Sequence, residues 1–198
     1  MFQNFSFEGY NVIHIDWILP LENETLQNYA LRISENIKDE NAILIGLSFG
    51  GILSVEISKI KKFKKVFLLS SAKTKFEIPF YYRFLGKLNL LRIIPSSILK
   101  RVNSLTYLVF GAKTNAEKSL LEDIVRNTDE RFLKWALHQI MNWENENYSE
   151  NIVHIQGDID LILPHIFVKY DYLIKGGTHF MTLNQSKEIE TIIIENLL

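Results

Sequence analysis

Short apolar runs and amphipathic stretches alternate along most of this chain. Five runs rich in β-branched residues have the length of strands: 11–15, 42–46, 66–69, 151–155 and 170–174. Apolar residues at helical spacing predict three helices: 23–37, 50–60 and 187–198. Asn23 is the predicted N-cap of the first helix. Strands that alternate with helices predict an α/β fold with a doubly wound, mostly parallel sheet.

The alternation stops from about residue 73 to residue 149, where only helical periodicity remains. The apolar residues that recur at helical spacing include Leu120, Ile124, Phe132, Trp135 and Ile140. We interpret this stretch as one helical insertion at the carboxyl end of a strand, where open α/β sheets bind their ligands. The chain has 198 residues without an internal repeat or a low-complexity linker, so residues 1–198 are predicted to form a single domain with a helical cap.

Composition and charge exclude several classes of partner and site. Lys and Arg number 22 and Asp and Glu number 23, so the net charge is −1 and the chain lacks the positive field that holds a nucleic acid backbone. The absence of cysteine removes disulfides, thiolate metal sites and cysteine nucleophiles. No histidine or carboxylate cluster has the spacing of metal ligands, and we expect neither a metal nor another cofactor.

Targeting and membrane signals are missing from the sequence as well. The first residues lack a basic segment followed by a long apolar one, which a signal peptide would have. No apolar run approaches the roughly 18 residues that a membrane-spanning helix needs. We therefore expect a soluble, cytoplasmic protein.

The strongest chemical signal is the segment 46–51, which reads Gly-Leu-Ser-Phe-Gly-Gly between a predicted strand and a predicted helix. This is the context of a G-x-S-x-G nucleophile elbow, and it makes Ser48 the candidate nucleophile. Glycine at Gly46 and Gly50 is expected to let the strand and the helix approach each other. The Phe49 N–H, at the positive end of the helix, is the predicted oxyanion donor. The alternative is an ordinary glycine-rich turn without chemistry.

A serine nucleophile needs a base, and the base needs an orienting acid. Asp160 follows the predicted strand 151–155 and is the candidate acid, with Asp158 as the second choice. His179 follows the last predicted strand in a Gly-Gly-Thr-His segment and is the candidate base. The order Ser48, Asp160, His179 is the chain order of α/β-hydrolase triads. A surface turn is the alternative interpretation of the Asp segment.

The remaining histidines have simpler interpretations. His14 and His154 fall in predicted strands, and we expect both to be core residues with satisfied hydrogen bonds. His138 lies on a predicted helix of the insertion and His165 follows a proline, and neither is assigned a catalytic role.

The segments 46–51, 157–164 and 176–180 together resemble the α/β-hydrolase superfamily, most closely its compact members. The resemblance covers most of the chain outside the insertion. It implies a nucleophile at Ser48, an orienting acid at Asp160 and a general base at His179. It also implies a helical cap over the site, which residues 73–149 would form.

The chain departs from the pattern of this family at its beginning. Members carry an additional central strand, and the loop after it supplies the second oxyanion N–H. In the family's strand order that strand lies between those at 11–15 and 42–46, so its absence predicts that these two strands pair directly or leave a gap. Two explanations stay open: the chain is a truncated form of a longer protein, or it is a reduced member of the family.

The resemblance and the motif order predict hydrolysis of a carboxylic ester, thioester or amide through an acyl-serine. Acyl transfer with the same triad and ligand binding without catalysis are the alternatives. Tyr81, Tyr82 and Trp135 are candidates for an acyl pocket that takes a small hydrophobic substrate. Packing of the insertion on the sheet would equally explain these aromatic residues, as would a dimer interface or a membrane-surface contact. The sequence does not define the oligomeric state.

Overall fold

A computed structural model of the chain describes residues 1–39, 41–89, 91 and 93–198. Within these residues, four parallel strands form one sheet in the order β1-β2-β3-β4: Ile43–Leu47, Lys65–Leu69, Ile152–Gly157 and Tyr172–Ile174. Leu68 of β2 pairs with Gly46 on one side and with His154 on the other. The α/β class and the parallel sheet predicted from the sequence are therefore confirmed.

The helices of the described residues, α1 to α9 in chain order, are Leu26–Ser34, Phe49–Ile60, Phe80–Lys87, Ser96–Leu99, Ser104–Phe110, Asn115–Asn127, Glu130–Met141, Met181–Asn184 and Ser186–Glu195. The predicted cap of α1 at Asn23 is wrong. Thr25 is the N-cap, and its side chain accepts a hydrogen bond from the Asn28 N–H. Asn23 instead takes a left-handed conformation with a φ of 54°.

Helices cover both faces of the sheet, as a doubly wound fold requires. Val66 and Leu68 of β2 belong to the apolar core that α1 and α2 complete. Phe67 and Leu69 point to the opposite face, into the core that includes Ile189 and Ile193 of α9. These four apolar side chains of β2 are fully buried, and each such side chain stabilises the fold by about 1.5–3 kcal/mol. The near-continuous apolar run of β2 follows from this two-sided burial.

We call residues 73–149 the insertion. Within the described residues its regular elements are helical and include the helices α3 to α7. Helix α3 packs on α7, and Phe132 and Ala136 of α7 join the core on the α2 side of the sheet. Leu90 and Arg92 of the apolar segment that begins the insertion lie outside the described residues. Across the described part of the chain, no helix combines the length and the apolar character that crossing a bilayer takes.

The predicted strand at 11–15 is wrong. This segment has no regular secondary structure, and Val12, Ile13 and Ile15 are exposed. An alternating pattern becomes a strand only where a neighbouring strand supplies hydrogen-bond partners, and β1 forms the edge of the described sheet without pairing to this segment. Of the two predicted alternatives, direct pairing of this segment with β1 is not observed within the described residues. His14 is exposed with its segment, so its predicted core position is wrong too.

Candidate active site

Ser48 lies in the turn between β1 and α2, in a backbone conformation that is costly for any residue with a side chain. Its φ is 53° and its ψ is −121°. The turn is held from the neighbouring strand, because the Ser48 N–H donates to Leu69 O at 2.9 Å and the Ser71 hydroxyl donates to Ser48 O at 2.7 Å. The surrounding hydrogen bonds thus fix the strained turn that the sequence predicted.

Two glycines make the close approach of β1, α2 and β2 possible. A Cβ on Gly46 would clash with the carbonyl of Gly50 and with the Ser54 hydroxyl, and a Cβ on Gly51 would lie 2.5 Å from the Ser71 Cβ. The prediction that Gly50 is needed for the same reason is not supported. The first atom that a Cβ on Gly50 would meet is a ring carbon of Trp17 at 3.7 Å, which is an ordinary contact.

Asp160 follows β3 and is buried under its own loop. Its Oδ1 accepts hydrogen bonds from the N–H groups of Ile162 and Leu163, each at 2.9 Å. Its Oδ2 accepts from the Gln156 side chain at 3.3 Å and lies 2.8 Å from His179 Nδ1. With these four contacts the carboxylate has one orientation, and that orientation faces His179.

His179 connects this carboxylate to the turn at Ser48. The imidazole is buried, and its Nε2 lies 2.9 Å from the Ser48 hydroxyl oxygen. Since an ionised carboxylate can only accept, Nδ1 donates to Asp160 and Nε2 is left to accept from the Ser48 hydroxyl. The structure therefore brings together the three residues that the sequence analysis selected from three separate segments.

The second candidate acid, Asp158, points elsewhere. Its Oδ1 accepts from the Gly176 N–H at 2.6 Å and so tightens the turn that leads to His179. Of the two aspartates, only Asp160 hydrogen-bonds to the imidazole within the described residues. The Phe49 N–H, the predicted oxyanion donor, begins α2 and has no acceptor within the same residues.

A cavity of about 50 Å³ lies directly beside Ser48 and His179. Its other lining residues come from the sheet edge and from the insertion: Phe49, Ile52, Ser70, Ser71, Ile78, Tyr82, Ile140, Ile162 and Leu163. A separate hollow of about 260 Å³ lies at Lys100, Val102, Glu122 and Arg126 and touches none of the candidate catalytic residues. The small, mainly apolar cavity is therefore the feature that belongs to the site.

The three aromatic residues predicted for an acyl pocket have different positions. Tyr82 lines the cavity, whereas Tyr81 and Trp135 are not among its lining residues. Tyr81 packs on Tyr82 from outside, with ring centroids 4.7 Å apart. Trp135 donates its indole N–H to Glu24 O at 2.8 Å and packs edge-on against Phe49. Tyr81 and Trp135 therefore pack against residues that line the cavity and do not line it themselves.

Sequence reasoning missed Gln156, which lies behind Asp160, whereas the prediction that its neighbour His154 is a hydrogen-bonded core residue is confirmed. The Gln156 amide donates to Asp160 and to Leu163 O, and its Oε1 lies 3.2 Å from His154 Nε2. Burial lowers the pKa of His154 to about 4, and the nearby Lys73 charge acts in the same direction. The buried histidine is therefore neutral at pH 7. No motif marks Gln156, because in the sequence it looks like an ordinary residue at the end of an apolar strand.

Comparison with solved structures identifies the fold class of this chain. A lipase-esterase related protein from Clostridium acetobutylicum is 16% identical and has a TM-score of 0.61, with 88% of this chain and 76% of that chain covered. The esterase from Exiguobacterium antarcticum is 12% identical, with a TM-score of 0.58 and coverages of 87% and 74%. A bromoperoxidase from Bacillus anthracis is 17% identical, with a TM-score of 0.53 and coverages of 86% and 72%.

These neighbours establish that the chain has the α/β-hydrolase fold, with fewer strands than a full sheet of that class. Neither a protein-family model nor a curated protein matches the chain. At such low identities the likeness concerns the fold alone, because one fold serves many chemistries. The function has to be argued from the site.

Proposed function

We propose that this protein is a serine hydrolase that cleaves a carboxylic ester through an acyl-serine intermediate. The observation that supports the proposal is the continuous chain of contacts from Ser48 through His179 to Asp160. Its two distances, 2.9 and 2.8 Å, are hydrogen-bond distances, and the nucleophile sits on a strained strand-to-helix turn. The esterases among the structural neighbours are consistent with this chemistry.

In the first half of the reaction Ser48 Oγ attacks the ester carbonyl and forms a C–O bond. His179 Nε2 takes the hydroxyl proton, and Asp160 stabilises the resulting imidazolium and holds its orientation. The carbonyl oxygen carries the negative charge of the tetrahedral intermediate and accepts from the Phe49 N–H. The intermediate collapses, the bond to the alcohol breaks, and His179 returns its proton to the leaving alcohol.

Water completes the second half. It gives its proton to His179 and attacks the acyl carbon, and the bond to Ser48 then breaks as the proton returns to Oγ. The products are a carboxylic acid and an alcohol. No cofactor enters either half, because the triad mediates every proton transfer and the nucleophiles are first Ser48 and then water.

Turnover of a short-chain phenyl ester tests the proposal. Ser48→Ala and His179→Gln should each lower kcat by about 10⁴-fold or more, since members of a triad act as a unit. Ser34→Ala is the control, because Ser34 is a buried serine whose hydroxyl bonds within α1, away from the site. Full activity of Ser48→Ala would overturn the mechanism.

A further inference from the structure

Ser70 is a buried serine whose hydroxyl has no hydrogen-bond partner among the described residues. It directly follows β2, and none of its surface is exposed. Three other buried serines do bond: the hydroxyls of Ser34, Ser54 and Ser71 donate to the carbonyls of Leu31, Gly50 and Ser48, respectively. Buried polar groups are almost always paired in folded proteins, so an unpaired hydroxyl at this position needs an explanation.

The backbone of Ser70 is strained as well. Its φ is 46°, a left-handed conformation that serine rarely adopts. The strain is imposed by the sheet, because the Ser70 N–H donates to Ile155 O at 3.1 Å and so stays tied to β3. Strained residues of this kind are concentrated at ligand sites, where a side chain must be held in one direction.

The position of Ser70 shows where a partner for its hydroxyl would be. Ser70 lines the same cavity of about 50 Å³ as Ser48 and His179. The hydroxyls of Ser48 and Ser71 and the imidazole of His179 are already engaged with one another or with the backbone. Most of the remaining wall is apolar, including Ile52, Ile78 and Leu163. Ser70 therefore brings a buried hydroxyl, unpaired among the described residues, to the wall of the cavity where an acyl chain would lie.

The volume of the cavity limits the group that fits. A cavity needs about 10–15 Å³ of such space to hold one water molecule, so about 50 Å³ admits a group of only a few non-hydrogen atoms. We propose that Ser70 is a specificity-determining residue that hydrogen-bonds to a polar substituent of a short acyl group. A hydroxyl on the carbon next to the carbonyl has the matching hydrogen-bonding chemistry and lies near the carbon that Ser48 would attack in the same small cavity, so the substrate class is an ester of a short 2-hydroxy acid. This inference rests on the proposed serine hydrolase activity.

Phenyl glycolate and phenyl propionate form a matched substrate pair, because their acyl groups differ only by a hydroxyl in place of a methyl. The quantity to measure is the ratio of kcat/KM for glycolate over propionate in the wild type, in Ser70→Ala and in Ser70→Gly. Comparing the ratio between proteins cancels the different intrinsic reactivity of the two esters. Both variants should lower the ratio about tenfold, which is the value of one hydrogen bond to the substrate.

Ser70→Gly provides a second variant in case alanine does not fold, because glycine adopts a φ of 46° without strain. Ser34→Ala is the control for the loss of a buried hydroxyl elsewhere and should leave the ratio unchanged. Thermal melting without ligand gives an independent readout: Ser70→Ala should melt at the wild-type temperature or above it, since no internal hydrogen bond is lost, whereas Ser34→Ala should melt lower.

Each outcome has a distinct meaning. A lowered ratio in both Ser70 variants supports the inference. An unchanged ratio, with both esters still hydrolysed, overturns the inference and leaves the proposed hydrolase activity intact. A folded wild type that hydrolyses neither ester overturns the proposed function and this inference together. A marked fall in the melting temperature of Ser70→Ala with an unchanged ratio would assign the hydroxyl to stability rather than to recognition.

Discussion

The carboxyl edge of the sheet and the helical insertion hold their side chains in different ways. At the sheet edge, Ser48 and Asp160 are fixed by backbone hydrogen bonds from neighbouring strands and loops. The first α-helix of the insertion is α3, whose outer side chains Phe80 and Phe84 are 73% and 61% exposed. It gives the cavity only three of its lining residues, among them Tyr82. In the proposed mechanism the reacting side chains come from the sheet edge, and the insertion contributes to the shape of the cavity.

The two regions are joined by a few polar contacts. Trp143, at the end of the insertion, donates its indole N–H to the buried Glu56 of α2 at 2.7 Å. Lys59 of the same helix donates to Asn145 at 2.6 Å. Four predictions, ordered from the largest expected effect to the smallest, test whether the sheet edge determines the activity while the insertion contributes shape.

The largest effect is expected for the acid at the sheet edge. Asp160→Asn should lower kcat by about 10⁴-fold, because an amide cannot hold His179 in the required tautomer. Asp158→Asn is the matched control and should change kcat by less than about threefold, since Asp158 bonds only to the loop backbone. Steady-state ester hydrolysis measures both. Equal losses in the two variants would mean that loop geometry, and not Asp160 itself, is required.

The next effect concerns His154 and the pH dependence of stability. Its pKa is lowered to about 4 in the folded chain, whereas the unfolded chain has the ordinary value of 6.5. The unfolded state therefore binds the proton first, so stability is complete above about pH 6.5 and is lost as the pH falls toward 4. The full shift corresponds to about 3 kcal/mol.

Urea unfolding between pH 7 and pH 5 measures this loss before most carboxylates titrate. His154→Asn removes the titrating group, and subtracting its profile cancels the other groups. The wild type should lose more stability than the variant over this range. Parallel profiles would mean that the ring is protonated in the folded state or that its site is open to water.

A third prediction uses the two adjacent glycines of the elbow. Gly51→Ala should destabilise the chain by about 1–3 kcal/mol and reduce turnover, because its Cβ would be forced against Ser71 and the backbone of Gly46. Gly50→Ala should leave the free energy of unfolding nearly unchanged, because its Cβ would find space beside Trp17. Denaturant titration of the pair compares them directly, and the reverse order of stability would refute the packing that we describe.

The smallest effect is expected on the outer face of the insertion. Phe84→Ser should change the free energy of unfolding by no more than about 0.5 kcal/mol, because the ring is already mostly in water. Hydrolysis of short esters should also be unchanged. Urea titration and a kinetic assay of the same preparation check both quantities. A clear loss of activity would show that α3 takes part in the site beyond the contact of Tyr82.

The difference between the sheet edge and the insertion also explains which features could be predicted from the sequence. Ser48, Asp160 and His179 each sit in a short segment where a strand, a glycine-rich turn and a polar residue follow one another, and local geometry then places the side chain. The elbow, the strands β1 to β3 and the order of the three residues were predicted for this reason.

Features that depend on distant neighbours were missed. The segment 11–15 has the pattern of a strand but no partner in the described sheet. Trp135 is aromatic and belongs to the insertion, yet it faces Tyr29 and Glu24 instead of the cavity. Ser70 carries no motif, and its strained backbone and unpaired hydroxyl are visible only once β2 and β3 are side by side.

The central claim is that Ser48 is an activated nucleophile, and labelling with a fluorophosphonate probe tests it most directly. Intact-mass analysis of the whole chain should show one adduct on the wild type and on the Ser34→Ala control. The adduct should be absent from Ser48→Ala and much slower to form on His179→Gln, because the imidazole removes the hydroxyl proton. No adduct on a folded wild type, or an adduct that persists in Ser48→Ala, would contradict the account.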